Sequence, residues 1–294
     1  VKNVVLRVIQ SADTAKVALQ KGEIDASYVL PTDIKDLDTN KLDVYSYSEN
    51  RIGYLGLNTK TNELKDVKVR QAILYALNKG DMNKAAYLDE KYYQNPYSIL
   101  PPNNPYKTDD VEKYTQNVDK AKELLKEAGV SNLKLTLAYT SNDPAQKIQA
   151  TFIQQKLQAS GVNVEVRGGD GTTIFTELRK KDSTAYNLFL GGYIMGNDPD
   201  LYSTLFASNG TSNYFQYRES KIDDLFKRGA AELDSTKRKE IYNDLQREIA
   251  KEAYIYPIVD NQKILAVNKR VSGVNDAKLV PIYTFEDLSK ISIK

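Results

Sequence analysis

The order of apolar and polar positions along the chain predicts strands and helices that follow one another in alternation. A β-branched run at residues 1–9, VKNVVLRVI, is typical of a strand. Helical spacing follows, with Ser11 as the predicted N-cap and Gly22 as the C-terminal stop. Residues 24–29 and 51–59 return to the strand pattern. This part of the chain therefore predicts a strand, a helix and two further strands.

One amphipathic helix is predicted between Asp66 and Gly80. Its apolar residues recur at i, i+3, i+4, i+7 and i+8, which gives one buried stripe made of Val69, Ala72, Ile73, Ala76 and Leu77. Asp66 is the predicted N-cap, Lys79 suits the negative C-terminal end of the helix dipole, and Gly80 ends the helix. Arg70 lies off the stripe and is interpreted as a structural ion-pair or capping residue.

The rest of the chain continues the alternation after one interruption. Residues 92–110, rich in Pro, Asn and Tyr, are too polar and too broken for a core element and predict a long surface loop. Beyond this loop the first predicted helix is 118–129, which stops at Gly129, and the next is opened by Ser141 or Asn142. Three later helices are predicted at 172–181, 221–232 and 235–253. The predicted strands are 133–139, 162–166, 186–193 and 254–269. Such alternation predicts an α/β fold with largely parallel pairing.

Composition excludes several classes of function. The chain has 294 residues, of which 41% are hydrophobic, so it can bury one or two sizeable cores. It contains no histidine and no cysteine, which removes histidine bases, thiol nucleophiles, zinc-finger sites and the serine–histidine–aspartate triad. A formal net charge of +2 argues against nucleic acid as a partner bound through its phosphates. No apolar run approaches the roughly 20 residues of a membrane span.

Segments spread along nearly the whole chain, in the correct order, resemble the family 5 extracellular solute-binding proteins, the oligopeptide- and dipeptide-binding group of ABC importers. They are ALQKGEIDASY at 18–28, YLGLNTKTNELKDVKVRQAILYALNK at 54–79, VDKAKELLKEAG at 118–129, LFLGGYIMGNDPDLYSTLF at 188–206 and SNYFQYRESKIDDLFKRG at 212–229. Each segment alone is weakly specific, but their order together identifies the family.

This resemblance implies an α/β, periplasmic-binding-protein-like fold of type II, a clamshell that closes on a ligand between hinged lobes. Residues 1–55 and 260–294 are expected to form a partial, discontinuous first lobe, and residues 56–259 a complete second α/β lobe. The chain opens on a strand-like run without an initiator methionine or signal peptide. It is therefore expected to be a C-terminal fragment or a mature form that lacks part of the cleft.

The implied function is that of the extracytoplasmic substrate-binding component of an ABC transporter, which captures oligopeptides in an interlobe cleft. The resemblance implies ABC permease subunits as partners, a monomeric state and no enzymatic activity, so no catalytic residue, cofactor or metal ligand is expected. The implied location is the cell surface, through a lipid anchor, or the periplasm. A Lys- and Asn-rich composition suggests a low-GC Gram-positive source, whose anchoring cysteine would lie upstream of Val1.

The candidate site is the segment GGYIMGNDPDLY at 191–202, because two glycines after an apolar strand permit a tight exit at the strand's carboxyl end. The expected ligand-binding residues are Tyr193, Met195, Asn197 and Asp198, with Tyr54 and Tyr256 near the hinge. In the family, the position of Tyr193 resembles a Trp that is followed by an Asp for the peptide's α-ammonium. That Asp aligns with Gly196 or Asn197, so Asp198 is the nearest carboxylate that could take over its role.

Several alternatives stay open at the level of sequence. Asp198-Pro199-Asp200 is equally an ordinary turn and helix cap. Any one of the 21 tyrosines can be a core or surface residue. RGGDGTT at 167–173 lacks the Gly-Lys-Ser/Thr ending of a phosphate loop and predicts a strand-to-helix turn. A peptide-pheromone receptor or a binder of a non-peptide solute would use the same fold, and a hydrolase would have to rely on paired carboxylates.

Overall fold

The computed structural model describes residues 1–9 and 11–294, which divide into two compact units. The first unit comprises Val1–Asn50, Tyr87–Gln94 and Asn261–Lys294, and the second comprises Arg51–Ala86 and Asn95–Asp260. The boundaries expected from the sequence, after residues 55 and 259, differ from the observed ends at Asn50 and Asp260 by five residues and one residue. Residues Tyr87–Gln94 also belong to the first unit, which was not predicted. That the two units are lobes of a clamshell stays a prediction.

The described residues form helices and strands that alternate along much of the chain. In chain order, the α-helices are α1 (Ala12–Lys21), α2 (Val67–Tyr75), α3 (Lys79–Tyr87), α4 (Val118–Glu127), α5 (Pro144–Ala159), α6 (Gly171–Arg179), α7 (Ser203–Phe206), α8 (Ser220–Ala231) and α9 (Ser235–Glu252). The strands are β1 (Ala26–Tyr28), β2 (Leu42–Ser48), β3 (Arg51–Leu57), β4 (Tyr93–Gln94), β5 (Lys134–Thr140), β6 (Asn163–Gly169), β7 (Leu188–Ile194), β8 (Ile255–Asn268), β9 (Val271–Ser272), β10 (Leu279–Val280), β11 (Thr284–Phe285) and β12 (Ser292–Ile293). Among these helices none is long and apolar enough to cross a membrane.

The sheet of the second unit is mixed, with the order β6, β5, β7, β3 and then the first part of β8. β5 is parallel to both β6 and β7. β3 is antiparallel to β7 and to β8. The predicted parallel pairing is therefore confirmed for three strands and wrong for β3 and β8, because the direction of a pair depends on how distant segments meet and not on the local pattern.

Aromatic rings form much of the core of the second unit. The ring centroid of Tyr54 lies 6.1 Å from that of Phe189 and 5.5 Å from that of Phe215. Space for these rings comes from glycines on the neighbouring strands. A Cβ at Gly56 would overlap the Phe189 ring, and one at Gly191 would lie 2.6 Å from the Tyr54 ring. These glycines are needed for the close approach of a ring.

In the first unit, the second part of β8 pairs antiparallel with β1 on one side and β2 on the other. Its side chains Leu265 and Val267 pack in an apolar cluster with Val274, Ala277 and Ile291. The predicted helix α1 is confirmed, with Ser11 accepting a hydrogen bond from the backbone N–H of Thr14. Gly22 takes the left-handed conformation predicted for a helix stop, with φ of 74°.

The strand predicted for residues 1–9 is wrong, because these residues form no strand in the structure. The side chains of Val5, Leu6 and Val8 are exposed to 85%, 91% and 92%. A strand requires a neighbouring backbone to which its N–H and C=O groups bond, and a β-branched run by itself supplies none. The composition of this run is that of a strand, but composition cannot supply the partner.

The single helix predicted between Asp66 and Gly80 is also wrong, because two helices lie there. Asp66 caps the first as predicted, but that helix ends at Tyr75, and Gly80 lies inside α3. The reason is Asn78, whose Oδ1 accepts a hydrogen bond from the backbone N–H of Asp81 and so caps the start of the second helix. Lys79 consequently lies at the positive start of a helix and not at a C-terminus.

Three smaller expectations are decided by side-chain contacts. The cap of α5 is Asp143, which accepts from the N–H of Gln146, and neither Ser141 nor Asn142. The segment 92–110 is not simply a surface loop, because Tyr92, Tyr93, Ile99 and Leu100 are buried in it. The structural interpretation of Arg70 is confirmed: its guanidinium donates to the carbonyls of Leu64, Lys65 and Glu252 and pairs with the Glu252 carboxylate.

Candidate functional site

Residues 195–198, which we call the β7 exit, leave the sheet of the second unit at the edge where its parallel strands end. β5, β6 and β7 end at Thr140, Gly169 and Ile194, and parallel strands present these ends at one edge. From β5 the chain passes through α5 to β6 on one side, then returns through α6 to β7 on the other. Open α/β sheets bind ligands where successive connections leave to opposite sides. The predicted site segment therefore starts at such a position.

Tyr193 lies inside the second unit, at the penultimate position of β7. It pairs with Ile52 on β3, and only 8% of its surface is exposed. Its hydroxyl donates a hydrogen bond of 2.5 Å to the carbonyl of Ile99. Burial is the main reason why the pKa of this hydroxyl is raised. Both the ring and the hydroxyl of Tyr193 are thus already engaged in holding residues around Ile99 to the sheet.

Tyr54 and Tyr256 are also buried, each with 2% of its surface exposed. The ring of Tyr54 lies 5.6 Å from that of Tyr193, so the structure brings these two predicted residues together. Tyr54 pairs with Pro257, whereas Tyr256 pairs with Leu55. Because successive side chains of a strand point to opposite faces, Tyr256 lies on the other face of the sheet from Tyr54. The three tyrosines therefore do not form one surface.

Met195 and Asn197 lie nearer to solvent. Met195 is half-buried and packs against the edge of the aromatic core. Asn197 is exposed, and its backbone carbonyl accepts a hydrogen bond from the side-chain amide of Asn104 at 3.1 Å. The β7 exit is thus anchored from the segment 95–117 while the Asn197 side chain stays accessible.

Asp198 has two partners within the second unit. Its Oδ1 accepts from the backbone N–H of Asp200 at 3.0 Å, which caps the short 3₁₀ helix Pro199–Tyr202. The same atom lies 2.7 Å from Nη2 of Arg238 on α9. The turn-and-cap interpretation of Asp198 is therefore correct, and 53% of its side chain nevertheless remains exposed. Whether Asp198 also contacts a ligand stays a prediction.

The side chain of Lys79 is buried beside Tyr256. Its Nζ donates to the carbonyls of Pro96 at 2.6 Å and Pro257 at 2.8 Å. The rings of Tyr97 and Tyr256 have their centroids 4.5 Å and 4.3 Å from the same atom. Burial lowers the pKa of Lys79 to about 7. Tyr256 therefore contacts the amino group of Lys79 from within the protein.

Three residues around the β7 exit were not found by sequence reasoning. Asn104 and Tyr106 come from the segment predicted to be a simple surface loop, and Arg238 comes from a helix forty positions after Asp198. No spacing rule links residues so far apart. The only available signal was the richness of that segment in Asn and Tyr, whose side chains can donate and accept hydrogen bonds.

The fold of the chain is that of the substrate-binding proteins of ABC transporters. The ABC transporter substrate-binding protein CtaP of Listeria monocytogenes superposes with a TM-score of 0.93 and 35% identity, covering 98% of this chain and 59% of that one. A putative peptide-binding protein, AppA of Clostridium difficile, superposes with a TM-score of 0.88 and 33% identity, covering 98% of this chain and 60% of that one.

Within that class, the chain belongs to the bacterial extracellular solute-binding proteins, family 5, whose middle region matches residues 1–214. The dipeptide-binding protein of Escherichia coli K12 is 30% identical over 282 residues, which are 93% of this chain and 52% of that protein. The oligopeptide-binding protein AppA of Bacillus subtilis is 26% identical over 266 residues, covering 85% of this chain and 49% of that protein. The chain thus spans about half the length of these curated relatives.

Proposed function

We propose that the full-length protein is the extracytoplasmic substrate-binding component of an ABC importer and that it captures peptides. The observation that carries this proposal is family membership together with the peptide-binding names of relatives at 30% and 33% identity. Its partners are then a peptide and the permease subunits of the importer. The protein acts by binding, as a monomer, and reaches the membrane only through a lipid anchor outside the present chain. A Gram-positive source accords with the Lys- and Asn-rich composition.

The β7 exit is the part of this chain that we propose to face the ligand. Its position at the carboxyl edge of the parallel strands supports the proposal, since such edges carry the ligand sites of open α/β sheets. Asn197 and Asp198 are its accessible polar members, and Met195 supplies a flexible thioether beside them. We propose no direct ligand contact for the side chains of Tyr54, Tyr193 and Tyr256, because all three are buried. They act on the ligand only by holding Met195, Asn197 and Asp198 in position.

The test is ligand capture and uptake by the full-length protein. Protein purified without denaturation is analysed by mass spectrometry for bound molecules, and uptake of an isotope-labelled peptide library is measured in cells that lack or carry the gene. We expect peptides in the purified protein and uptake that depends on the gene. Release of sugars or metal complexes in place of peptides, with gene-independent peptide uptake, would refute the proposal.

A pair of substitutions tests the site. Asn197→Lys places a bulky cation at the β7 exit, where the native side chain is exposed. We expect it to weaken peptide binding roughly tenfold or more, about 1.4 kcal/mol. Asn163→Lys is the matched control, because Asn163 is also exposed but begins β6 and so lies at the opposite edge of the sheet. Equal affinities for Asn197→Lys and the wild type would remove the β7 exit from the site.

A further inference from the structure

We infer that the ligand presents an uncharged group to the β7 exit, such as a main-chain amide, and not a free α-ammonium, because Arg238 already neutralises Asp198. This inference rests on the proposed peptide-binding function and specifies the ligand end that the site accepts. Arg238 is thereby a specificity-determining residue that acts through Asp198. The inference rests on the contacts that hold the guanidinium, on the position of the neighbouring carboxylates and on the groups of the β7 exit that are left to contact the ligand.

Two hydrogen bonds and two aromatic rings hold the guanidinium of Arg238, in addition to Asp198. Its Nε donates to the carbonyl of Gly229 at 2.9 Å, and its Nη1 donates to the hydroxyl of Tyr106 at 3.0 Å. The rings of Tyr106 and Tyr242 have their centroids 5.2 Å and 5.3 Å from its central carbon. Only 19% of the side chain is exposed. A guanidinium held by these contacts cannot swing away to release Asp198 without losing several of them.

Nη2 of Arg238 donates to Asp198. The distance of 2.7 Å from Nη2 to Oδ1 is that of a short charge-assisted hydrogen bond. Oδ1 also accepts the backbone N–H of Asp200, so this oxygen makes two hydrogen bonds within the protein. An approaching ammonium meets a neutral ion pair in place of a bare carboxylate, and its attraction to the pair falls off much faster with distance than its attraction to a single charge.

Asp200 is the other carboxylate of this turn. Burial, and after it the carboxylate of Asp200, raise the pKa of the Tyr242 hydroxyl to about 12. The charge of Asp200 therefore acts on the Tyr242 hydroxyl of α9. Tyr242 is fully buried beneath the Arg238 guanidinium. Among the described residues no ion pair joins Asp200 to Arg238, whose ion pair is with Asp198.

Apart from Asp198, whose charge Arg238 balances, the β7 exit offers uncharged groups. Gly196 has no side chain, Asn197 offers an amide, and Met195 offers a thioether. The Asn197 amide can both donate to a carbonyl and accept from an N–H, which matches the two polar groups of a peptide unit. A main-chain amide therefore fits this surface without leaving a charge unpaired, whereas an α-ammonium would meet there only a carboxylate that Arg238 already pairs.

The experiment compares free and blocked amino termini on the full-length protein. A library of random pentapeptides and the same library acetylated at the amino terminus are mixed in equal amounts, and the bound peptides are counted by mass spectrometry. We expect the wild type to retain both forms within about threefold of each other. Asp198→Asn keeps the capping oxygen but leaves the Arg238 cation without its anion, so we expect the ratio to stay the same or to shift toward the acetylated form.

Freeing Asp198 should create the selectivity that the wild type lacks. In Arg238→Gln the carboxylate loses its cation, and we expect at least a fivefold shift of the ratio toward free amines. Arg238→Lys is the matched control that keeps a positive charge and should keep the wild-type ratio. If Arg238→Gln does not fold, the wild-type ratio and Asp198→Asn decide the question alone.

A wild-type preference for free amines of tenfold or more, lost in Asp198→Asn, would overturn the inference and leave the peptide-binding function intact. Capture of neither library would instead refute the proposed function, and the inference with it. The two failures are therefore distinguished by whether any peptide is retained.

Discussion

At the scale of the residue, the buried ammonium of Lys79 makes stability depend on pH. Its pKa is about 7 in the folded protein and 10.5 in its ordinary state, and burial is the cause of the difference. Between these two values the unfolded chain binds a proton that the folded chain does not. The free energy of unfolding should therefore increase as pH rises from about 7 to 10.5, by up to about 1.4 kcal/mol per pH unit. Below pH 7 both states are protonated and Lys79 contributes no slope.

Lys79→Met should abolish this contribution. We expect the difference in unfolding free energy between wild type and variant to change by several kcal/mol between pH 7 and pH 10 in favour of the wild type. Urea titrations of both proteins at a series of pH values measure it, and all other titrating groups cancel in the difference. Parallel curves for the two proteins would mean that Lys79 stays charged, held by the carbonyls of Pro96 and Pro257.

Gly191 gives a second prediction at this scale. A methyl group at this position would lie 2.6 Å from the ring of Tyr54, which is buried and cannot move freely. We expect Gly191→Ala to destabilise the protein by about 1–3 kcal/mol through overpacking. In a Tyr54→Leu background, which removes the ring atoms concerned, the same substitution should cost clearly less. A double-mutant cycle by denaturant unfolding checks the coupling, and additive effects would contradict this account.

At the scale of the element, one side chain of α9 holds the segment 95–117 in place. Gln246 accepts hydrogen bonds from the hydroxyl of Ser98 and the N–H of Thr108, and it donates to the carbonyls of Tyr106 and Tyr242. Its amide is thus saturated while only 2% of the residue is exposed. The segment has almost no regular structure, and such contacts explain how its backbone can be partly buried.

Gln246→Leu should therefore loosen that segment more than it disturbs the helix. We expect a loss of about 1–3 kcal/mol in unfolding free energy, because the buried groups of Ser98, Thr108 and Tyr106 lose their partner. Hydrogen exchange at the Thr108 amide should become much faster, whereas amides in the middle of α9 should stay protected. Gln158→Leu on α5 is the control, since Gln158 is exposed. Unchanged exchange at Thr108 would show that other contacts hold the segment.

At the scale of the whole molecule, we expect the protein to bind its ligand without transforming it. The chain has no histidine and no cysteine, and the carboxylate at the β7 exit is paired with Arg238. Activated nucleophiles and acid–base pairs require a neighbouring base or a second carboxylate at a suitable distance. We expect the purified protein to leave fluorogenic peptides and glycosides intact over hours. Turnover that disappears when one carboxylate is replaced by its amide would contradict this expectation.

The local features of this protein could be predicted from the sequence alone. The caps at Ser11, Asp66 and Gly129 are confirmed because each depends on hydrogen bonds or backbone angles within a few residues. The existence of the later helices and strands also follows from their periodicity, since burial of one face repeats along a single segment. The family could be identified from the order of its motifs, which survives even where individual positions differ.

Only the tertiary structure decided which predicted residues are accessible and which are paired. The sequence makes Tyr54, Tyr193 and Tyr256 candidate ligand contacts, but neighbouring strands bury them. It makes Asp198 a candidate ammonium acceptor, and a guanidinium from α9 binds this carboxylate. Residues 1–9 have the composition of a strand and form none. In each case the deciding partner is distant in sequence, and periodicity and capping carry no information about which distant side chains or backbones will meet.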